Sequence, residues 1–429
     1  MNDVRDKLAF LLGTKGLVSG AQWKSRALEE RRQIEAGGRE IHHAVPGEVV
    51  GGPDGGFYRV REDVPLDSEH GGIALGAALD AVAAHISLSA NDTDLLQFNP
   101  RTAVFVDTET TGLMGGTGTT AFLVGVGSFH EDCFRLEQCF MRDFDDEEPM
   151  LHYLAGRFAQ AETLVSFNGK SFDLPLLRTR FIANRVPCRL DALMHLDLVH
   201  ASRRIWKTRL RDCSLGNIER EVMGIVRHGD VNSALIPQLW LDYLHTRDAR
   251  PLRPVFYHHK MDILSLASLT AHLSRMIGVP DGKGFDHDED RLALLRLHFR
   301  QKRYEDVLGL AETLLASLSD RALRKECLEM TAFAAKRRSR WETMEIAWLG
   351  VIEEFPRHLT ARAEMAKHYE HRKRDLPGAA RFCAEAIQVL GERTQRTMDN
   401  DAEWSIEGFR RRLERIERKL RGGAWDEPE

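Results

Sequence analysis

The chain lacks any uninterrupted apolar run of the roughly 20 residues that a membrane-crossing helix needs, so a transmembrane protein is not expected. Cysteine is sparse: six residues in 429, at Cys133, Cys139, Cys188, Cys213, Cys327 and Cys383. None forms a CxxC pair, which argues against a zinc site or a disulfide framework and fits reduced thiols in the cytoplasm. An excess of basic charge is also missing. The formal net charge is −5, which excludes a basic nucleic-acid coat and leaves any nucleic-acid grip to a local patch. The first residues, MNDVRDKLAFLLG, place Asp3, Arg5, Asp6 and Lys7 before a very short apolar stretch, unlike a secretory signal. What remains is an ordinary globular composition, 43% hydrophobic and 29% charged, in a chain long enough for two or three domains.

Three regions separate by pattern. Residues 1–96 hold a charged amphipathic segment, Ala21 to Glu35, then EVVGGPDGGFYRV, which reads as two short strands around a Gly-Pro-Asp-Gly-Gly turn. His42 and His43 just before it read as part of a solvated loop. Residues 97–276 change character. TAVFVD, TAFLVGVGSF and CFRLEQCFM are strand candidates, the last two joined as an antiparallel hairpin by His130 to Asp132. The acidic run DFDDEEP reads as a solvated turn leading into a helix over Glu148 to Ala161. TLVSFN is a further buried strand, followed by GKSFD and a helix with Asp173 at its start and Pro175 just inside. This rhythm predicts an α/β mixed sheet with flanking helices. Residues 288–421 read as wholly helical. RYEDVLGLAETLLA, RWETMEIAWLGVIEEFP and RDLPGAARFCAEAIQVL start about 34 to 37 residues apart, with Ala311, Ala347 and Ala380 at similar points, so a tetratricopeptide-like repeat domain is expected. A last helix over Asp401 to Arg421 would cap it.

The chemistry begins at Asp107 and Glu109, in TAVFVDTETTGL. They lie two apart at the end of a short apolar strand and therefore share a face. Two carboxylates so placed are costly without a partner, and a hard divalent cation suits oxygen ligands. Asp173, at a strand-to-helix junction where α/β sheets place their sites, is a third candidate. Asp262 in FYHHKMDILSL is a fourth, and His258, one helical turn earlier, shares its face. Tyr257 and His259 are adjacent competitors for the role of His258. Asp197, in MHLDLVH, could bind, orient a neighbour or cap a turn. Four carboxylates suit two divalent ions about 3.5 to 4 Å apart, a pairing that serves phosphoryl displacement, and a histidine titrates in the range needed to take a proton from water.

DTETTG, the NG-x-x-FD segment ending at Asp173, and the late helix carrying Asp262 resemble the three motifs of the DEDD 3′–5′ exonuclease superfamily, in particular its YprB-type subgroup. GTGTTAFLVGVG, LVSFNGKSFDLPLL, HLDLVHASRRIWKTRLRDCSLGNIE and YHHKMDILSL carry that likeness. The resemblance implies a ribonuclease H-like fold, two magnesium or manganese ions held by Asp107, Glu109, Asp173 and Asp262, and tetratricopeptide-like helices after the nuclease domain. One departure stands out. The tyrosine branch places Tyr four residues before the last Asp and the histidine branch places His five before it, whereas here Tyr257 and His258 stand in the reverse order. Helix geometry favours His258 as the proton acceptor.

A polyanionic substrate calls for cations near the cleft. HASRRIWKTRLRD offers Arg203, Arg204, Lys207, Arg209 and Arg211 around Trp206, either to hold phosphates and stack a base or as an amphipathic helix with Ile205, Trp206 and Leu210 in the core. Lys170 and Arg178 add charge near Asp173. Gly115, Gly116, Thr117 and Gly118 read as a plain turn. The expected function is a cytoplasmic, metal-dependent 3′–5′ exonuclease acting on single-stranded DNA or RNA ends. Two alternatives stand beside it: an inactive scaffold binding nucleic acid or protein, motivated by the inverted Tyr257-His258 pair, and an endonuclease acting on duplexes or hybrids. The helical repeats imply a protein partner.

Overall fold

A computed structural model describes residues 39–52, 55–112, 118–391 and 405–422. The amphipathic segment Ala21 to Glu35 and three residues of the glycine turn, Gly115 to Thr117, lie outside the described residues. The chain divides into two compact units, Met1–Gly278 and Val279–Glu429.

The first unit is built on one seven-stranded sheet. Its strands are β1 (Glu48–Gly52), β2 (Gly55–Pro65), β3 (Ala103–Thr110), β4 (Ala121–Phe129), β5 (Cys133–Phe140), β6 (Thr163–Ser166) and β7 (Met194–Asp197). They lie in the order β1-β2-β5-β4-β3-β6-β7. The β1 to β5 side and the β4–β3 pair are antiparallel, while β3–β6 and β6–β7 are parallel. Strand β2, set apart in sequence from the nuclease-like region, thus pairs with β5, and β1 pairs with β2 at the sheet edge. The helices of this unit are α1 (Ala83–Ala90), α2 (Glu147–Phe158), α3 (Asp173–Ala183), α4 (Leu198–Leu210), α5 (Ile236–Thr246) and α6 (Arg253–Gly278). The mixed sheet with flanking helices is the ribonuclease H-like architecture.

Two features of the sheet position the site. Strand β3 is buried from Ala103 to Val106 and opens from Asp107 onward, and its register slips between Glu109 and Thr110. Next to it, the GVG of β4 makes a seat for α6. A Cβ on Gly125 would lie 2.0 Å from Ile263 Cδ1 and 2.6 Å from His259 Cε1. Only glycine lets the helix approach so closely, and Gly125 is the residue directly opposite Asp107.

The acidic run before α2 departs from the solvated turn expected. Asp146 and Glu147 are buried, and Asp143, Asp146 and Glu147 pair with Arg247, Arg142 and Arg180. These arginines, Arg142 from four residues before Asp146 and Arg180 and Arg247 from later in the chain, offset the desolvation cost.

The second unit is helical throughout its described residues: α7 (Asp288–Arg300), α8 (Tyr304–Ser317), α9 (Arg321–Arg337), α10 (Trp341–Glu354), α11 (Leu359–His368), α12 (Leu376–Gly391) and α13 (Ile406–Gly422). Ala311 and Ala347 are buried as close-packing positions. In the third pair Ala379 takes that place and Ala380 is half-buried. The last helix docks through Glu370, whose buried carboxylate receives Arg412, Arg415 and Lys419.

Candidate active site

The open end of β3, the start of α3 and the first half of α6 bring the sequence candidates together. Glu109, His258 and Asp262 place one ligand atom each within 4.8 Å of one another. Asp107 is tied to the same cluster electrostatically. Burial pushes its carboxyl well above the usual range, and the charges of Asp262, Asp173 and Glu109 push it further. Glu109 is raised in the same way, by burial first and then by Asp262 and Asp173. Asp173 is the first residue of α3. Burial raises it to about 6, against the opposing hydrogen bond from Thr108. Four acidic groups from three elements thus crowd one pocket, where they repel one another when ionised. A divalent cation is the partner that such a donor set accepts, all oxygen with one imidazole nearby. At this site Glu109 and Asp262, with His258, have ligand atoms close enough to share one ion, and Asp107 and Asp173 interact with them electrostatically.

The three aromatic candidates at the start of α6 separate cleanly. Tyr257 is half-buried. His258 faces the cluster, with Nε2 3.4 Å from Asp262 Oδ2. His259 is fully buried beneath Asp107, and burial lowers its pKa to about 3, so it stays neutral. Its tautomer follows from its neighbours. Gln138 Nε2 donates to the carbonyl of Phe256 at 2.9 Å, which fixes the orientation of the amide because a carbonyl only accepts. The same nitrogen lies 3.0 Å from His259 Nδ1, so Nδ1 accepts and Nε2 carries the proton. That Nε2–H donates to the carbonyl of Asp107 at 3.1 Å. His259 thus holds the backbone beneath the acid cluster.

Residues that carried no recognisable signal complete the site. Arg227, from the loop between Met223 and α5, is its central cation. It donates to Asp262 Oδ1 at 2.5 Å and to both oxygens of Glu219, at 2.8 and 2.5 Å. Burial alone would lower its pKa, but the charges of Asp262 and Glu219 hold it charged. Asp230, from the same loop, lies 2.8 Å from His258 Nδ1. Neither Arg227 nor Asp230 belongs to a motif. A lone arginine in IVRHGD becomes informative only once tertiary structure brings it to Asp262.

Asp197 is a structural anchor. Its buried carboxylate caps α4 at Val199 and accepts from the backbone of Asn168 and Lys170 at 2.7 and 3.0 Å. It holds the Asn-Gly-Lys turn, where Asn168 adopts a positive φ of 66°, and so sets the loop that ends at Asp173.

The proposed substrate contacts divide. Trp206 is fully buried in α4, so it packs in the core and is unavailable for base stacking. Its place beside Ile205 on the inner face of the helix explains this. Arg203 and Lys207 are exposed on the outer face, while Arg204 reaches the carbonyl of Ser89. Lys170 is exposed near Asp173; Arg178 is paired with Asp191.

Residues 104–274 match the family model described as RNase_H superfamily. The matched span runs from β3 through α6 and contains every carboxylate of the cluster. A relative, the uncharacterized protein YprB of Bacillus subtilis (strain 168), is 29% identical over 381 residues, covering 85% of this chain and 91% of the relative. That alignment is too long for the RNase H-like domain alone to account for it.

Proposed function

We propose that this protein is a metal-dependent nuclease that hydrolyses nucleic-acid phosphodiester bonds, with 3′–5′ exonuclease action on single-stranded ends. The RNase H-like fold and the family match support a nuclease in general. The observation that carries the finer reading is the gathering of Glu109, His258 and Asp262 within 4.8 Å, beside the mutually repelling Asp107 and Asp173. Asp107, Glu109, Asp173 and Asp262 would hold divalent magnesium or manganese, and bound cations would supply a water of lowered pKa and positive charge for the departing oxygen. His258 would accept a proton at Nε2, the nitrogen facing the cluster. His259 keeps Asp107 in place from below, and Arg203, Lys207 and Lys170 contribute cationic surface for the phosphate backbone. Direction and strandedness rest on the resemblance to DEDD exonucleases.

The inverted Tyr257-His258 order motivated the scaffold reading. The side chain that reaches the carboxylates is His258, which favours an enzyme. The second unit is read as a tetratricopeptide-like array offering a protein-binding surface.

Replacing Asp107 with Asn tests the assignment. Manganese-supported cleavage of labelled single strands is expected to fall on the order of 10²-fold or more, while circular dichroism and thermal unfolding show a folded protein. Undiminished cleavage would exclude the site. Comparing end-labelled linear strands with circular ones separates end attack from internal attack.

A further inference from the structure

Resting on the nuclease reading, we propose that Asp230 is a positioning residue for His258: it fixes the imidazole in the tautomer that leaves Nε2 unprotonated toward the acid cluster, and Arg227 holds it there. The argument begins at His258 Nδ1, which has two polar neighbours. Asp230 Oδ1 lies at 2.8 Å and Arg227 Nη1 at 3.4 Å. A carboxylate only accepts and a guanidinium only donates, so the two would demand opposite tautomers. The shorter, charge-assisted contact prevails. Nδ1 therefore carries the proton and donates to Asp230.

In the neutral ring, Nε2 is then left with its lone pair, 3.4 Å from Asp262 Oδ2 and inside the group that includes Glu109. A lone pair facing a carboxylate is unfavourable unless a proton or a cation lies between them. The arrangement suits a group that receives a proton, or supports a cation, at that spot.

Arg227 fixes where the loop carries Asp230. It donates to Asp230 Oδ2 at 3.3 Å while its other nitrogens grip Glu219 and Asp262, and Gly229 turns the chain between them at a φ of 72°. One side chain thus ties the loop to the metal-facing carboxylate, and the loop's own carboxylate orients the histidine.

The variant Asp230→Ala isolates the effect; an Asn would keep its amide oxygen toward His258, because the same oxygen accepts the Val231 N–H at 2.8 Å. Alanine removes the acceptor and leaves Arg227 Nη1, a donor, beside Nδ1. Nδ1 must then accept and the proton moves to Nε2, blocking the lone pair. Long-range ¹H–¹⁵N spectra of the metal-free full chain, with His258 assigned from an H258A difference spectrum, are expected to show the Nδ1–H form in the parent and the Nε2–H form in D230A. The same tautomer in both would overturn the proposal. In cleavage assays kcat is expected to fall at least ~10²-fold with KM unchanged, and D230A/H258A to be no slower than H258A alone. Equal losses in both backgrounds would show that Asp230 acts independently of His258 and overturn it. Should the parent cleave no nucleic acid at all, the nuclease reading fails and the spectra still decide the tautomer.

Discussion

Asp173 shows at one residue what the crowding of carboxylates implies for stability. Its folded-state pKa is raised from 3.8 to about 6, burial being the main cause. Between those values the folded chain keeps a proton that the unfolded chain has released, so this group's contribution to stability falls as pH rises across that window. Buried histidines work the other way: His70 and His195 are lowered to about 4, and their share of stability grows as pH rises. The whole-protein profile mixes both signs, so the useful quantity is a difference. Metal-free Asp173→Asn is expected to gain on the parent as pH climbs from about 4 to about 6, with the gap then level. Thermal unfolding across that range measures it, and manganese at neutral pH should narrow the gap by stabilising the parent more. A gap that ignores pH would mean Asp173 is not held above its ordinary value. At this scale the sequence was legible where chemistry demands acids at fixed local spacing, as at Asp107, Glu109 and the His258–Asp262 helical turn. It was silent on Arg227, Asp230 and Gln138, whose roles arise from contacts across more than 25 residues of chain or between separate elements. Trp206 was ambiguous for a related reason, because the amphipathic helix around it suits either a core or a nucleic-acid face until its packing is known.

Among the elements, the fit of α6 against β4 determines whether the acid cluster assembles. Asp107 lies on β3, Asp262 on α6, and Gly125, opposite Asp107, is where α6 packs against β4 too closely for a Cβ. The GVG in β4 could be read from sequence as strand, yet its role as a helix seat depends on which element packs there. Gly125→Ala is expected to cost about 1–3 kcal/mol, as overpacking does, because the added methyl meets Ile263 and His259 on a helix that cannot retreat without moving Asp262. Gly156 is the matching control. It is exposed within α2, and a Cβ there meets nothing within 4 Å. Gly156→Ala should stabilise by about 0.5–1 kcal/mol through helix propensity. Denaturant unfolding of the two variants should therefore move in opposite directions, and calorimetry should show weaker manganese binding for Gly125→Ala alone. A tolerated alanine at 125 would mean that the helix is not seated as described.

Across the whole molecule, the site and the C-terminal helices belong to different units. Every residue of the acid cluster, its buried support and the Arg227 loop lies before the division at Gly278. The helical unit has a core of its own, with Trp348, Ala311 and Phe382 buried and α13 held at Glu370. Period and composition made this helical half legible in sequence as a class. The sheet's extent was less so: β2 gains its place by pairing with β5, some 75 residues away along the chain, and β1 by pairing with β2. A chain ending at Gly278 is expected to remain folded and to bind manganese as the full protein does, because every residue named in the site lies before that point. Residues 279–429 alone should give a helical circular-dichroism spectrum with a cooperative melt. If the second unit serves to bring a partner or present a substrate, the shortened chain should keep basal cleavage of short single strands. It would then lose only what the partner adds. Loss of manganese binding on truncation would instead mean that the second unit supports the site directly, and the two halves would have to be treated as one catalytic body.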